Sequence, residues 1–595
     1  MNWTQELLNS FYWIISVMGI ILTISPLVVF LLSRMTKWGR EFWLLSADYF
    51  SIKRRIKPLA YFFTVLFFSL VTVRIDILLS EWNKALYNAL QKLDAAEFWG
   101  QIIIFAVLSS VYIANALLIY YVQKAFTIHW RKWANEAILD KWFVNQAYYK
   151  MLCDSEKTDN PDQRIQQDIT AYITNSLNLS LGLIKSVTSM VSFTIILWGL
   201  SGPMQIGDFT LPHAMVFLVF IYVLASTVFA FKIGKPLIRL NFNNERLNAN
   251  YRYSLMRMKE YAETIAFFKG EKVEKNQLLA QFNKVIDNVW KIVHRTLKFN
   301  GFNLAVTQVS TIFPFLIQAT RFFEKQIQLG ELMQTAQAFR RVQSSLSFFR
   351  NIYDDFAGYR AVLERLSGFY QATGEARHFV NIKIEEDKNN VIFEDLTVKT
   401  PEGEVLVREL NIHLSLGDTL LIQGLSGSGK TTLLRAVAGL WRYAEGKISY
   451  PFHNSLFIAQ KTYLPQGRLI DALYYPNTVP TDVDLSNVAS VLDRVQLAHL
   501  VEKLEEENDW TRILSLGEQQ RISFARILLY RPMMIFLDES TSALDEYLEE
   551  QMYLLLRKAL PGSIIISVGH RSTLFHHHQQ CLRLHTDGTW YLTNL

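Results

Sequence analysis

The sequence predicts a protein in two parts: an all-α membrane region of about seven spans with its N-terminus outside, then an α/β domain built on a phosphate-binding loop. Three observations carry this reading. Half of the 595 residues are hydrophobic and 13% are aromatic, which together with a positive mean hydropathy places the chain among membrane proteins. Long apolar segments fill the first part and give way at about Asn381 to short strands, turns and helices. In the second part, Gly424-Leu425-Ser426-Gly427-Ser428-Gly429-Lys430-Thr431-Thr432 stands between an apolar strand pattern and a helical one, the context that makes such a run a phosphate site.

At this length several domains are expected, given a soft prior of about 150 residues each. The net charge of +6 would also suit a nucleic-acid binder. The basic residues collect beside apolar segments, however, as in a membrane protein with cytoplasmic loops, so no nucleic-acid partner is expected. The two cysteines, Cys153 and Cys581, fall in segments assigned to the cytosol, which argues against a disulfide or a cysteine-built metal site.

The first apolar segment, residues 11–32, is long enough to span a bilayer and longer than the apolar part of most signal peptides. Further spans are read at residues 60–79, 102–122, 179–200, 211–230 and 302–323. A seventh, residues 332–349, is interrupted by Gln334, Gln337, Arg340, Arg341 and Gln343, and hydropathy alone would pass over it. Charge sets the orientation: Arg34, Lys37, Arg40, Lys53, Arg54, Arg55 and Lys57 lie between the first two spans, while no Lys or Arg precedes residue 11. Seven crossings then deliver the phosphate-loop domain to the cytosol, where ATP is; six would leave it outside. In the seventh segment Leu332, Ala336, Phe339, Val342, Leu346 and Phe349 share one helical face, with Gln334, Gln337, Arg341 and Ser344 on another. That polar face lines a pathway on one reading and belongs to an extramembrane linking helix on the other. Arg74, Asp76 and Lys185 are further ionisable residues within spans, to be explained by pairing, snorkelling or transport. The loops 123–178 and 231–301 are expected to hold helices that leave the membrane, and Asn160-Pro161-Asp162-Gln163-Arg164 to mark a turn that serves as a contact point.

The spacing of the phosphate loop follows from its chemistry. Its glycines let backbone N–H groups converge on a phosphate and the helix N-terminus adds partial positive charge; Lys430 reaches the terminal oxygens and Thr431 offers a hydroxyl to Mg²⁺. Downstream, Met533-Met534-Ile535-Phe536-Leu537-Asp538-Glu539 is an apolar strand ending in two carboxylates. Asp538 is placed to hold Mg²⁺ through water and Glu539 to polarise the attacking water. His576, His577 and His578 are consecutive and so do not converge on a metal; they read as a solvated run.

Between these motifs lies Leu514-Ser515-Leu516-Gly517-Glu518-Gln519-Gln520-Arg521. Here the sequence resembles the ATP-binding cassette family. The resemblance implies that Gln460 is the Q-loop glutamine and a Mg²⁺ neighbour, Ser542-Ala543-Leu544-Asp545 the D-loop and His570 the switch histidine. It further implies that Ser515, Gly517 and Glu518 of one chain meet the γ-phosphate held by another. Leu516 and Glu518 depart from the family's glycine and glutamine, and Thr400 stands where many cassettes have an adenine-stacking tyrosine. In the membrane part, Trp82 to Gln91, the 160–164 turn, residues 240–269 and 332–349 look like the SbmA/BacA-like transporters. That group is similar to the peroxisomal fatty acyl-CoA half-transporters, with which Gly439-Leu440-Trp441 is shared.

These likenesses imply an exporter-type membrane fold, a homodimer in a bacterial inner membrane, and ATP with Mg²⁺ as cofactors. They also imply a hydrophilic or amphipathic cargo such as a peptide, cobalamin or an acyl-CoA; since some members of the group import, the direction stays open. Export of lipid or drug, or a regulatory membrane ATPase that moves nothing, are the alternatives. The expected division is 1–57 (extra span and basic loop), 58–350 (six-span domain), 351–384 (linker) and 385–595 (cassette).

Overall fold

The computed structural model describes residues 3–51, 56–151, 161–202, 204–206, 209–211, 213–376 and 382–595. Lys53, Arg54, Arg55, Cys153, Asn160 and Asn381 lie outside the described residues. The chain forms two compact units, Met1–Asp140 with Asp159–Gln371, and Lys141–Thr158 with Ala372–Leu595.

The first unit is helical. Among the described residues six helices are long and apolar enough to cross a membrane: Trp3–Met35, Lys57–Lys92, Ala95–Phe143, Ile169–Leu200, Ala214–Glu260 and Glu271–Phe323. Their exposed faces carry Ile103, Leu117, Ile195, Leu224 and Leu316, an arrangement suited to lipid, where apolar exposure costs nothing. Three of them have 47, 49 and 53 residues, about 70–80 Å at 1.5 Å per residue. That far exceeds the roughly 30 Å of hydrocarbon, so the two long loops are largely helix, as expected. Residues 80–101, between the second and third expected spans, are helical almost throughout. The chain reverses at Leu93, which adopts φ 56° with its N–H on Ala89 and Leu90 carbonyls, and Asp94 Oδ1 accepts from the Glu97 N–H. A two-residue turn leaves no local signal in hydropathy. In the other short connection, Met204–Ile206 and Phe209–Leu211 pair as antiparallel strands.

The seventh segment is one continuous helix, Leu329–Asn351, started by a capping box between Gln328 and Glu331. Its apolar residues Ala336, Phe339 and Val342 are fully buried. Its polar side chains meet the helix Lys57–Lys92: Gln334 Nε2 donates to Glu81 at 2.8 Å, Gln337 accepts from Asn83 at 3.1 Å, and Arg341 Nη2 donates to Asp76 at 2.8 Å. Nearer its start, Asn88 and Gln91 side chains accept from the N–H groups of Gly330 and Leu329. The polar face is thus largely a helix–helix seam. Arg74 also pairs, donating to Ser10 and Glu6 on the first helix at 2.9 and 3.0 Å.

A cluster of Tyr49, Phe126, Trp130, Tyr172 and Tyr359 is buried beside the helix Lys37–Ser46. The charged stretch around His129 therefore has a buried side: Trp130 is 1% exposed and stacks on Tyr49 at 5.1 Å. At the expected turn, Pro161–Gln163 is a helical turn, followed by a wide-turn segment Arg164–Asp168. There Asp168 accepts from Arg164 and, through both oxygens, from Arg365.

Among the described residues the second unit holds two larger sheets and a short antiparallel pairing of Gly467–Arg468 with Glu507–Asn508. Its six-stranded sheet runs Trp590–Asn594, Gln580–Leu584, Thr419–Gly424, Ile564–Val568, Met534–Asp538, Ser455–Ile458. All but the first strand are parallel. The inner strands read as continuous apolar runs because both faces are covered, by two separate hydrophobic clusters. A four-stranded sheet of Lys383–Glu386, Ala444–Tyr450, Asn390–Lys399 and Val405–Ser415 completes the unit.

Candidate functional site

Parallel strands end along one edge of the sheet, and the predicted nucleotide residues stand there. The phosphate loop leaves the strand Thr419–Gly424 and enters the helix Lys430–Val437. Gly429 has φ +88°, and a Cβ there would come within 2.9 Å of Leu406 Cβ, so both backbone and space require glycine. Leu425, Ser426 and Gly427 are exposed, whereas Ser428 and Lys430 are buried. Lys430 Nζ donates to the carbonyls of Gly424 and Leu425, each at 3.0 Å. Burial lowers its pKa while the nearby Glu539 and Asp538 charges oppose the shift. Thr431 Oγ1 donates to Asp538 Oδ1 at 3.3 Å, and Thr432 follows in the first turn. The Asp538 carboxyl is pushed up by burial and, secondarily, by Glu539.

Glu539 follows Asp538 at φ +46°, a conformation that non-glycine residues rarely adopt. Such strain concentrates at functional sites. The two strands flanking Met534–Asp538 supply its partners. Gln460, beyond Ser455–Ile458, donates from Nε2 to Glu539 Oε2 at 2.8 Å; His570, beyond Ile564–Val568, places Nε2 3.2 Å from Oε1.

A nucleotide with a divalent cation fits this set. The Ser428 hydroxyl is buried with no hydrogen-bond partner among the described residues, in the loop that leads into the N-terminus of the helix Lys430–Val437. Thr431 and Asp538 are oxygen ligands of the kind Mg²⁺ takes. Among the described residues no group of three or more His, Cys, Asp or Glu could hold a metal.

The signature residues form a separate group. Ser515 caps the helix Leu516–Tyr530, and its N–H and Oγ donate to Glu518 Oε2 at 2.9 and 2.8 Å. The unusual glutamate therefore completes a capping box. His499 Nε2 lies 3.1 Å from Glu518 Oε1. A Cβ at Gly517 would approach the Ala543 carbonyl at 3.3 Å. Asp545 caps the helix Glu546–Ala559 by accepting from Leu548 N–H at 2.7 Å. Among the described residues, the side-chain hydrogen bonds of Ser515 and Glu518 reach each other and His499, and none reaches the phosphate loop.

Sequence reasoning passed over Gln520. It donates to Ser542 Oγ at 3.1 Å and accepts from Ala543 N–H at 2.9 Å, tying the signature helix to the D-loop. It also misread two residues of the histidine run: His576 is exposed, as expected of a solvated run, but its two successors are not. His577 and His578 are 7% and 5% exposed; His578 donates from Nδ1 to the Leu574 carbonyl and accepts at Nε2 from Ser567 Oγ, both at 2.8 Å. Burial holds its pKa down to about 4. The run ends a short 3-10 helix and stops before the strand Gln580–Leu584, and no local pattern reveals which side faces in. At Thr400 the chain turns, and Trp441 Nε1 donates to the adjacent Lys399 carbonyl at 2.8 Å.

A transmembrane helical region followed by a phosphate-loop domain with a signature helix defines a membrane transport ATPase. The model for "ABC transporter transmembrane region 2" matches residues 45–323, and that for "ABC transporter" residues 407–542. An "Uncharacterized ABC transporter ATP-binding protein" of Haemophilus influenzae is 52% identical over 99% of this chain and 100% of its own length. The "Inner membrane ABC transporter ATP-binding protein YddA" of Escherichia coli is 32% identical over 84% of this chain and 89% of its own. The solved structure of a bacterial Atm1-family ABC exporter with ATP bound has the same fold, with a TM-score of 0.70 at 15% identity over 89% of this chain and 94% of that one. The chain belongs to the ABC transporter family. It is a half-transporter, carrying one transmembrane region and one cassette, and an ATPase coupled to transport.

Proposed function

We propose that the chain works as a homodimer in a bacterial inner membrane, hydrolysing Mg-ATP to move a hydrophilic or amphipathic cargo. The observation that carries the hydrolytic reading is Glu539, held between Gln460 and His570 beside Asp538 and Thr431. In this reading Glu539 polarises the attacking water, His570 and Gln460 orient it, and Lys430 and the phosphate-loop N–H groups hold the phosphates. Thr431, Asp538 (through water) and the Gln460 amide oxygen would hold Mg²⁺, which would supply positive charge to offset that of the phosphates.

Dimerisation is supported by the surface. Leu516 of the signature and Leu425 of the phosphate loop are 65% and 74% exposed, apolar positions that a second cassette would cover. A two-fold arrangement gives each phosphate loop the Ser515, Gly517 and Glu518 of its partner. The inner-membrane location draws on the relative named for it.

The test is reconstitution in inside-out and right-side-out vesicles with labelled cobalamin, a proline-rich peptide and an acyl-CoA, using Glu539→Gln as the blank. ATP-dependent accumulation of one cargo names the class and direction. Hydrolysis that no cargo stimulates, with no accumulation, would overturn the transport reading in favour of a regulatory ATPase.

A further inference from the structure

Glu549 lies in the first turn of the helix Glu546–Ala559 and is 1% exposed. Two loops reach its carboxylate. Thr541 Oγ1 donates at 2.5 Å and Thr573 Oγ1 at 2.8 Å, and Arg571 Nη1 stands 3.5 Å away. Arg571 donates in turn from Nη2 to the Ser542 carbonyl at 3.4 Å. Thr541 and Ser542 belong to the segment that follows Glu539 and leads to Asp545; Arg571 and Thr573 come directly after His570. One buried carboxylate therefore joins the loop behind the proposed base to the loop behind the proposed switch histidine.

Packing alone does not call for a charge here. A buried carboxylate is costly unless it is fully hydrogen-bonded, and a neutral side chain of the same shape would avoid that cost. What the charge adds is a hold on Arg571, and through it on the D-loop backbone. Backbone bonds hold the strand ends beneath, from Glu539 N–H to Val568 O and from Gly569 N–H to Ile422 O, and turn the D-loop through Ser542 N–H to Glu539 O; His570 lies just past the last of the strand pairings.

We propose that Glu549 is a positioning residue for ATP hydrolysis, clamping Arg571 and Thr573 against Thr541 and Ser542 so that His570 stays in register with Glu539. The clamp rests on the roles proposed above for Glu539 and His570.

The experiment uses the full chain in lipid vesicles, measuring phosphate release and binding of a fluorescent ATP analogue. Glu549→Gln keeps the shape and loses the charge on Arg571. Its kcat should fall about tenfold with KM for ATP and analogue affinity within about twofold, the signature of an effect confined to the chemical step. Arg571→Met should behave alike, and the double variant should be no slower than the slower single one, because both remove one interaction. A Glu549→Gln enzyme with wild-type kcat would overturn the clamp, as would losses of affinity and melting temperature that match the loss of kcat. If that variant does not fold, Thr573→Val carries the same comparison, with the same two outcomes. Glu539→Gln is run alongside: normal hydrolysis there would overturn the assignment of the base, a failure separate from that of the clamp.

Discussion

Glu539 and His578 show how differently burial can act on a single residue. Glu539 is only partly enclosed, and its two neighbours aim it. Replacing it with glutamine keeps the contacts but removes the basic oxygen, so phosphate release should fall at least about a hundredfold while ATP affinity is retained. Turnover near wild type in that variant would rule out the role. His578 is enclosed and neutral. Its folded pKa is about 4 against an ordinary value of 6.5, so between these values the unfolded chain binds more protons and stability falls as the pH drops. The loss begins near pH 6.5, is largely complete near pH 4 and amounts to roughly 3 kcal/mol. The melting temperature should therefore decrease from pH 7 to pH 5, and His578→Gln should flatten that slope; equal slopes for the two proteins would show that the imidazole is not the group responsible.

At the scale of elements, the seam between Lys57–Lys92 and Leu329–Asn351 explains how a helix with a poor hydropathy profile packs in the membrane unit. Three of the polar residues that spoil the profile have a counterpart on the other helix: Gln334 has Glu81, Gln337 has Asn83 and Arg341 has Asp76. Asp76 is 7% exposed and Arg341 41%, so the pair is half buried, and losing one partner should cost about 1–3 kcal/mol, less than a fully buried pair. Asp76→Asn and Arg341→Gln should each lower the melting temperature in detergent. The double variant should be more stable than the sum of the two losses predicts; strictly additive losses would mean that the pair does not interact energetically.

At the scale of the whole molecule, the separation of the signature group from the phosphate loop within one chain is the feature with most consequence. If each ATP site takes Lys430 from one chain and Ser515 from the other, Lys430→Ala and Ser515→Arg homodimers should both be inactive. A mixed dimer of the two variants should regain about half of wild-type hydrolysis, because one of its two sites is assembled from intact residues only. Mixed dimers as inactive as the homodimers would place both motifs of a site in one chain.

The order of motifs along the chain already determined the family, the phosphate loop and the carboxylate-ended strand, because these depend on local spacing: a strand, a glycine turn, a helix start. The long spans were legible for the same reason, as continuous apolar runs have a length that only a bilayer requires. What only the tertiary structure decided are the partners of single polar groups. Gln334 with Glu81, Thr541 and Thr573 with Glu549, and His578 with Ser567 join residues from 8 to 253 positions apart. Periodicity places a residue on a face, but the free energy of a buried charge or imidazole depends on which atoms meet it, and that is settled by how the elements pack.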